Sequence, residues 1–383
     1  MTDATPSRRL PRRDFFLLPL ISLLTVVLML AGAEVTAQVV WPEQKIDSCL
    51  AKDPIIGQRA RPSCVARMKS AEGPWMEDRY NDCGYRSAGS CHAPIADRLV
   101  VMGSSTSWGY LVPYEEVWST RTAKALSAQC GRPFDVQSLS GFSDINADAA
   151  RTDEALATKP RMVVLVITAF DMLETPKRGF DPDYAANQMK RAAKAAGKIE
   201  RNAPKGVAVL REVVTSSRAV EMAQHFMFQN EPLYVSMYLR YGDKAGFLRP
   251  PFSPSWQTRL AYVDDGVAFI SKKLAASGVR MGVLYVPQQA QAALASSGDA
   301  AAGVDPMALS QAIGDIARKH GATFIDANSA FKGLKDPQNY FYTADGHPNG
   351  KGHELIASTA AARLGPSGGA ASLCPSTPVE GGL

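Results

Sequence analysis

Two short segments near opposite ends of the chain carry side chains that suit nucleophilic chemistry. The first is a small turn, Gly103-Ser104-Ser105, which follows an apolar run and leads towards a helical stretch. A turn in that position exposes a hydroxyl at the carboxyl edge of a sheet, where open α/β folds bind ligands. A serine hydroxyl alone is a weak nucleophile, so Ser105 needs a general base. Backbone N–H groups at the same turn can stabilise a developing oxyanion.

The second segment supplies a base and an acid that can orient it. Asp345 lies two residues before His347 in a turn that contains glycine and proline. A carboxylate at that spacing can hold the imidazole in one tautomer and leave its other nitrogen free to accept a proton. The remaining histidines suit structural positions better, in helical patterns, beside cysteines or at a helix start; they are His92, His225, His320 and His353. The sequence therefore predicts a triad of Ser105, His347 and Asp345.

The elements that must position this triad alternate between strand and helix signals from residue 98 onward. The apolar, β-branched run at 162–167 is typical of a strand that is buried on both faces. The predicted strands are 98–102, 134–139, 162–167, 279–286 and 323–325. The predicted helices are 116–128, 144–157, 254–276, 306–320 and 351–363. This alternation predicts an α/β fold in which helices cover both faces of a parallel sheet.

Together the two segments resemble the first and last sequence blocks of the SGNH/GDSL hydrolase superfamily. Its first block is a Gly-Asp-Ser turn, and residues 103–105 are similar to it, with Ser104 in place of the aspartate. Its last block is an Asp–His pair followed by Pro, Asn and Gly, as in residues 345–350. Many esterases of the superfamily have an Asp–His spacing of three, whereas its polysaccharide O-acetyltransferases share the shorter spacing found here. The resemblance covers residues 97–363 and implies a flavodoxin-like three-layer fold with a Ser–His–Asp triad.

The middle blocks of the family are matched more loosely. Gly141 resembles the glycine block, which implies that its N–H joins the N–H of Ser105 in an oxyanion hole. In the third block, Phe170 occupies the position of the usual asparagine, and a phenyl ring donates no hydrogen bond. Losing one such donor costs about 10²–10³-fold in rate in a serine protease. Thr168 or Asn146 are the alternative donors.

The N-terminus predicts export from the cytoplasm. Four arginines, Arg8, Arg9, Arg12 and Arg13, precede an uncharged run over residues 15–33 that is long enough to cross most of a bilayer core. The positive residues should stay on the cytoplasmic side, so the rest of the chain should face outward. Small residues at 31–33 and 35–37 fit a signal cleavage site, and residues 12–17 resemble a twin-arginine signal. An uncleaved membrane anchor and a cleaved signal both remain open.

The six cysteines are consistent with an oxidising compartment, which agrees with export. Short-range pairing favours Cys49 with Cys64 and Cys83 with Cys91. Four segments follow from composition: a signal or anchor (1–37), an irregular cysteine-containing arm (38–96), a hydrolase-like domain (97–366) and a flexible tail (367–383), held only where Cys374 ties it. Within the domain, the alternation of strands and helices stops over residues 175–253. This segment is predicted to be a helical insertion beside the site.

These observations favour a periplasmic or extracellular serine esterase or deacetylase that acts on acyl esters of small molecules or cell-envelope glycans. A second hypothesis is an O-acyltransferase with the same triad, which would receive its acyl group from a membrane donor protein. A third is a catalytically degenerate domain that binds glycan or an envelope protein. The sequence has no basic stripe with interleaved aromatics, so nucleic acid is not an expected partner. It also has no nucleotide loop or metal-ligand spacing, so we expect neither cofactor nor metal.

Overall fold

Strands and helices alternate along the main domain as the sequence predicts. The computed structural model describes residues 12–95, 97–141, 144–173, 179–195, 217–298 and 302–374. The strands are β1 (Gln44–Asp47), β2 (Leu50–Asp53), β3 (Gly57–Ala60), β4 (Val65–Lys69), β5 (Trp75–Arg79), β6 (Arg98–Met102), β7 (Asp135–Ser138), β8 (Met162–Ile167), β9 (Arg280–Tyr285) and β10 (Thr323–Asp326). The helices are α1 (Arg12–Val40), α2 (Ser105–Trp108), α3 (Trp118–Cys130), α4 (Ile145–Ala150), α5 (Thr152–Ala157), α6 (Ala169–Leu173), α7 (Tyr184–Ala195), α8 (Arg218–Phe228), α9 (Glu231–Tyr238), α10 (Pro254–Ala276), α11 (Gln289–Ser297), α12 (Ala308–Lys319) and α13 (Gly350–Leu364).

A five-stranded parallel sheet lies at the centre of the fold, in the order β7-β6-β8-β9-β10. This is the flavodoxin-like order, in which the chain winds outward from β6 in both directions. Ligands of such sheets bind at the carboxyl ends of the strands where the order reverses, which here lies between β6 and β8. The predicted doubly wound, three-layer class is confirmed.

The strand β6 shows how the sheet separates two hydrophobic layers. Successive side chains of a strand point to opposite faces. Leu99 and Val101 pack into a cluster with residues of α3 and α13, while Val100 and Met102 pack into a second cluster with residues of α10 and α12. The sheet is therefore the middle layer, and the end of β6 is held rigidly from both sides.

The predicted element boundaries are close to the observed ones, with one break. The helix α10 begins where Ser253 accepts a hydrogen bond from the N–H of Trp256, as a serine N-cap followed by proline predicts. The single helix predicted over 144–157 is instead two helices, α4 and α5, which meet at Arg151. The guanidinium of Arg151 donates to the carbonyl of Leu139 and pairs with Glu154, so it anchors the break against the end of β7.

The prediction that residues 38–96 form an irregular arm without strands is wrong. The arm contains a small antiparallel sheet, β1-β4-β5, and a hairpin of β2 and β3. In β4 only Ala66 and Met68 are buried, and they alternate with exposed residues. Strands of four or five residues give this alternation too little length to stand out among the charged residues of the exposed face. The predicted disulfides Cys49–Cys64 and Cys83–Cys91 both form.

The end of the domain is packed rather than loose. A third disulfide joins Cys374 to Cys130 at the end of α3, and Leu373 is fully buried beside it. The predicted tail is thus ordered as far as residue 374, and its remainder lies outside the described residues. The insertion predicted over 175–253 is helical where it is described, in α7, α8 and α9, while 174–178 and 196–216 lie outside the described residues.

The buried side chain of Arg86 joins the arm to the main domain. Its guanidinium pairs with Asp78 on β5 and donates to the carbonyl oxygens of Trp108, Gly109 and Val112 in the loop after α2. Both charged side chains are almost completely excluded from solvent, at 2% and 4% exposure. Because a buried charge is costly unless its partners are complete, this contact fixes the arm against the loop.

Replacing Arg86 with methionine should lower the free energy of unfolding by about 3–5 kcal/mol, because Asp78 would stay buried without its partner. Urea denaturation of the full chain in detergent measures the change. The matched control is Arg67→Met on the neighbouring strand β4, where the pair with Glu77 is exposed and its loss should change stability far less. Equal losses in the two variants would contradict a structural role for the buried pair.

Candidate active site

The structure brings the three predicted triad residues together. The Oγ atom of Ser105 lies 2.7 Å from Nε2 of His347, and Nδ1 of the same ring lies 2.5 Å from Oδ1 of Asp345. The backbone N–H of His347 also donates to that carboxylate, over 3.1 Å. Ser105 and His347 are 242 residues apart in the chain, so the fold creates this alignment. A hydroxyl, an imidazole and a carboxylate in this order match the geometry of a serine nucleophile with its base.

Ser105 owes its position to a sharp turn at the carboxyl end of β6. Gly103 adopts a φ of 127°, and a side chain there would lie 2.8 Å from the carbonyl oxygen of Val166 on β8. Only glycine fits such a close approach between two strands. Ser105 is the first residue of α2, and the N–H groups in the first turn of a helix have no acceptor inside that helix. The turn thus presents both the hydroxyl and the N–H of Ser105 at the edge of the sheet.

His347 sits in a tight turn that precedes α13. The N–H of Gly346 donates to the carbonyl of Tyr342 over 2.8 Å, and Gly346 has a φ of 83°. Asn349 caps α13 by accepting from the N–H groups of its first turn. The ring of Tyr110 meets the imidazole edge to face, with a centroid distance of 5.1 Å. The imidazole is therefore held between an aromatic ring and the carboxylate of Asp345.

A further carboxylate, which the sequence did not single out, supports this turn. Glu72 of the arm accepts hydrogen bonds from the N–H groups of Ala344 (3.0 Å) and Asp345 (2.9 Å). It also lies 2.5 Å from Nδ1 of His225 on α8, and its side chain is only 3% exposed. Glu72 is one of 37 acidic residues and lies far from the triad in sequence, so no local pattern distinguishes it.

The electrostatic interaction between Asp345 and His347 favours an ionised Asp345. Partial burial tends to raise the pKa of this carboxyl, but the hydrogen bonds and positive charge available from His347 outweigh burial and lower the pKa below its usual value of 3.8. An ionised carboxylate accepts the Nδ1–H of the ring, which leaves the lone pair of Nε2 facing Ser105. The geometry of the pair thus suits acceptance of the serine proton.

A second carboxyl, that of Asp171, lies beneath the nucleophile turn. It accepts hydrogen bonds from the N–H and the hydroxyl of Thr168, both over 2.8 Å, and from the side chain of Ser104. Burial raises the pKa of Asp171, although these hydrogen bonds and the nearby His347 act in the opposite direction. Asp171 therefore fixes Ser104, the neighbour of the nucleophile, from inside the protein.

The predicted oxyanion donors are only partly available in this structure. The N–H of Gly141 donates to the carbonyl of Gly103 over 3.1 Å, and that bond must open before the N–H can reach an oxyanion. Phe170 points its ring outward, with 57% of the residue exposed. Of the alternative donors, the Thr168 hydroxyl already donates to Asp171, whereas the side-chain Oδ1 of Asn146 accepts from the backbone N–H of Asp181. The oxyanion role of Gly141 stays a prediction.

A cavity of about 410 Å³ adjoins the triad on the side of Asp345. Its walls come from the arm, from the start of α8 and from the turn before His347. Four carboxylates and one guanidinium line it: Glu43, Glu72, Glu221, Asp345 and Arg218. Burial raises the pKa of Glu221 against the opposing charge of Arg218. A polar cavity at this place can hold a hydroxyl-rich molecule beside Asp345.

Residues 253–377 match the family described as an SGNH hydrolase-like domain. The matched segment contains Asp345 and His347 but not Ser105. The predicted resemblance to the SGNH/GDSL superfamily is confirmed. The model that matches these residues describes the SGNH hydrolase-like domain of the acetyltransferase AlgX, to which this part of the chain is similar.

Several solved structures are similar to this chain over most of its length. TesA is 16% identical, with a TM-score of 0.36, over 69% of this chain and 95% of that chain. A variant of Axe2, an acetyl xylan esterase from Geobacillus stearothermophilus, is 13% identical, with a TM-score of 0.36, over 69% and 92%. The lipase Lip_vut3 from a goat rumen metagenome is 9% identical, with a TM-score of 0.36, over 69% and 95%. No curated relative matches the sequence.

Replacing Glu72 with alanine should slow the reaction of Ser105 with an alkyl fluorophosphonate by about 10- to 100-fold, because the turn that holds Asp345 loses its acceptor. Mass spectrometry of the intact protein follows the modification. Glu77→Ala, an exposed carboxylate on β5 of the same arm, is the control and should leave the rate unchanged. An unchanged rate in folded Glu72→Ala would rule out this supporting role.

Asp171→Asn should alter how stability depends on pH. Because the folded pKa of Asp171 is raised above the unfolded value near 3.8, folding retains a proton that the unfolded chain releases. The contribution to stability is therefore present below pH 3.8 and is lost as the pH rises through the folded pKa. Urea denaturation at pH 4 and pH 7 should show the variant gaining stability relative to wild type at the higher pH. If the difference in unfolding free energy between the variant and wild type were the same at pH 4 and pH 7, it would contradict the raised pKa of Asp171.

Proposed function

We propose that this protein is an extracytoplasmic serine esterase or deacetylase. The observation that carries the proposal is the continuous contact from the Ser105 hydroxyl through His347 to Asp345, over 2.7 and 2.5 Å. The match of residues 253–377 to the SGNH hydrolase-like domain of an acetyltransferase family supports it. So does the position of the serine at the sheet edge where ligands bind in doubly wound folds.

In this mechanism Nε2 of His347 takes the proton of Ser105 while Oγ attacks the acyl carbonyl carbon. The N–H of Ser105, joined by that of Gly141 once its bond to Gly103 opens, stabilises the negative oxygen of the tetrahedral intermediate. The imidazolium then gives its proton to the leaving alcohol, and the acyl-enzyme remains. Water repeats the sequence with His347 as base and releases the carboxylic acid. Asp345 stabilises the imidazolium in both halves.

The N-terminus and the disulfides support a location outside the cytoplasm. Three disulfides and an N-terminal apolar helix are consistent with a secreted or periplasmic protein. By length and composition, residues Arg13–Val40 could cross a membrane. We propose that the domain faces the outside of the cytoplasmic membrane, where its substrates are acyl esters of cell-envelope glycans. The polar cavity beside Asp345 supports a hydroxyl-rich substrate.

The second candidate function is an O-acyltransferase that uses the same triad. Two observations favour it: the family match is to an acetyltransferase, and Asp345 lies two residues before His347. In that reaction a glycan hydroxyl replaces water in the second half, and His347 removes its proton. The acyl group would come from a donor protein in the membrane.

Ser105→Ala and His347→Ala should each reduce hydrolysis of an activated acetyl ester by at least about 10³-fold, because each removes one member of the triad. The full chain in detergent is assayed for acetate release, with and without a saccharide acceptor. The control is His320→Ala, which disrupts a similar contact, 2.6 Å from Asp264, away from the site. That variant should retain wild-type activity.

The outcomes of this assay separate the hypotheses. Activity that survives Ser105→Ala would mean that another residue is the nucleophile. Release of the leaving alcohol that requires the saccharide, with transfer of the acetyl group to the saccharide and no release of acetate, would favour the acyltransferase. A folded wild-type protein that is inactive under both conditions, but binds the saccharide, would indicate a degenerate binding domain.

A further inference from the structure

The outer end of the N-terminal helix α1 contacts the insertion helix α8 through Glu34. The Glu34 carboxylate accepts a hydrogen bond from the Ser217 hydroxyl (2.6 Å) and from the N–H groups of Arg218 and Ala219 (both 3.1 Å). These backbone donors belong to the first turn of α8 and have no acceptor inside that helix. A carboxylate beside the start of a helix also interacts favourably with the helix dipole. Glu34 therefore caps α8 from a different element.

A second contact lies seven residues further along the chain, at Trp41, which directly follows α1 and continues its helical turn by donating its N–H to the carbonyl of Ala37. The indole ring of Trp41 packs edge-on against His225, with a centroid distance of 4.5 Å, and against Phe226 at 6.2 Å. Ala37, which lies between Glu34 and Trp41, is buried. Positions i, i+3 and i+7 share one helix face, so one continuous face of α1 lies against α8.

From α8 the contacts continue directly to the candidate active site. His225, which packs on Trp41, lies 2.5 Å from Glu72, and Glu72 holds the N–H of Asp345. At the other end of α8, Arg218 pairs with Glu43 and Glu221, and all three line the cavity beside Asp345. Both ends of α8 thus connect the end of α1 with the walls of the site.

The position of Glu34 relative to a bilayer follows from the sequence. The uncharged run over residues 15–33 spans about 28 Å as a helix, close to the thickness of the hydrocarbon core. Glu34 is the first charged residue after that run, so it emerges at the outer surface. Trp41 lies about two turns further, near the depth where tryptophan is enriched at membrane interfaces.

We propose that α1 remains in the mature protein and that its outer end is a built part of the candidate active site, which is thereby held at the outer surface of the membrane. Glu34 and Trp41 are positioning residues that act through α8 and Glu72 on the turn of Asp345 and His347. The contact with α8 stands on geometry alone, whereas its effect on catalysis rests on the proposed function.

The test uses the full chain extracted from membranes in detergent. Intact mass should show that the mature protein still contains α1; a mature N-terminus at residue 34 or 38 would overturn the proposal. Hydrogen exchange of the Arg218 and Ala219 amides should be about fivefold faster in Glu34→Ala, the loss expected for a missing cap. The control is Val39→Ala, whose side chain is on an exposed part of α1. Equal exchange in wild type and Glu34→Ala would also overturn it.

Activity supplies a separate readout. The acetyl ester assay should show a lower kcat in Glu34→Ala, with partial rescue in Glu34→Gln, whose amide oxygen can still accept, and no change in Val39→Ala. A kcat in Glu34→Ala equal to wild type would exclude the link to the site. If the wild-type protein hydrolyses no ester, the proposed function fails, yet the mass and exchange measurements still decide whether α1 is part of the structure.

Discussion

The contact between the arm and the loop that follows Ser105 depends on a buried cation, Arg86. A buried guanidinium is stable only when it binds carboxylate or carbonyl oxygens, and here Asp78 and the carbonyls of Trp108, Gly109 and Val112 bind it. Arg86 and Asp78 belong to the arm, whereas the carbonyls belong to the loop that follows Ser105. The arm is therefore not an appendage of the parallel sheet but the inner support of the nucleophile turn.

Glu72 supports the turn before His347 in the same way that Arg86 supports the backbone after Ser105. Its carboxylate is nearly buried and collects two backbone N–H groups of the turn before His347 together with the ring of His225. A small α/β sheet supplies the chemical groups at its edge, but the loops that carry them need fixed neighbours to hold a geometry of a few tenths of an ångström. In this protein the arm contributes those neighbours on both sides of the Ser105–His347 contact, one cationic and one anionic.

The sequence predicted the parts of the molecule that obey local rules. Apolar β-branched runs such as 162–167 indicated the buried strands, a serine before a proline indicated the start of α10, and two short motifs indicated Ser105, Asp345 and His347. The arm strands were missed because their alternation covers only four or five residues. Glu72 and Arg86 were missed because the chain has 37 acidic and 42 basic residues and only tertiary contacts distinguish the buried ones. The sequence motif assigned the Gly141 N–H to an oxyanion hole. In the structure this N–H instead donates to the carbonyl of Gly103, which depends on a turn geometry that the motif does not specify.

The wide separation of Ser105 and His347 along the chain has a consequence for biosynthesis. A chain synthesised from its N-terminus produces the arm and Ser105 first, and His347 242 residues later. The Cys130–Cys374 bond, which spans 244 residues, closes later still and locks the last helix onto α3. The contact between Ser105 and His347 therefore cannot form until almost the entire polypeptide has been synthesised. Whatever chemistry the pair carries is available only to the completed chain.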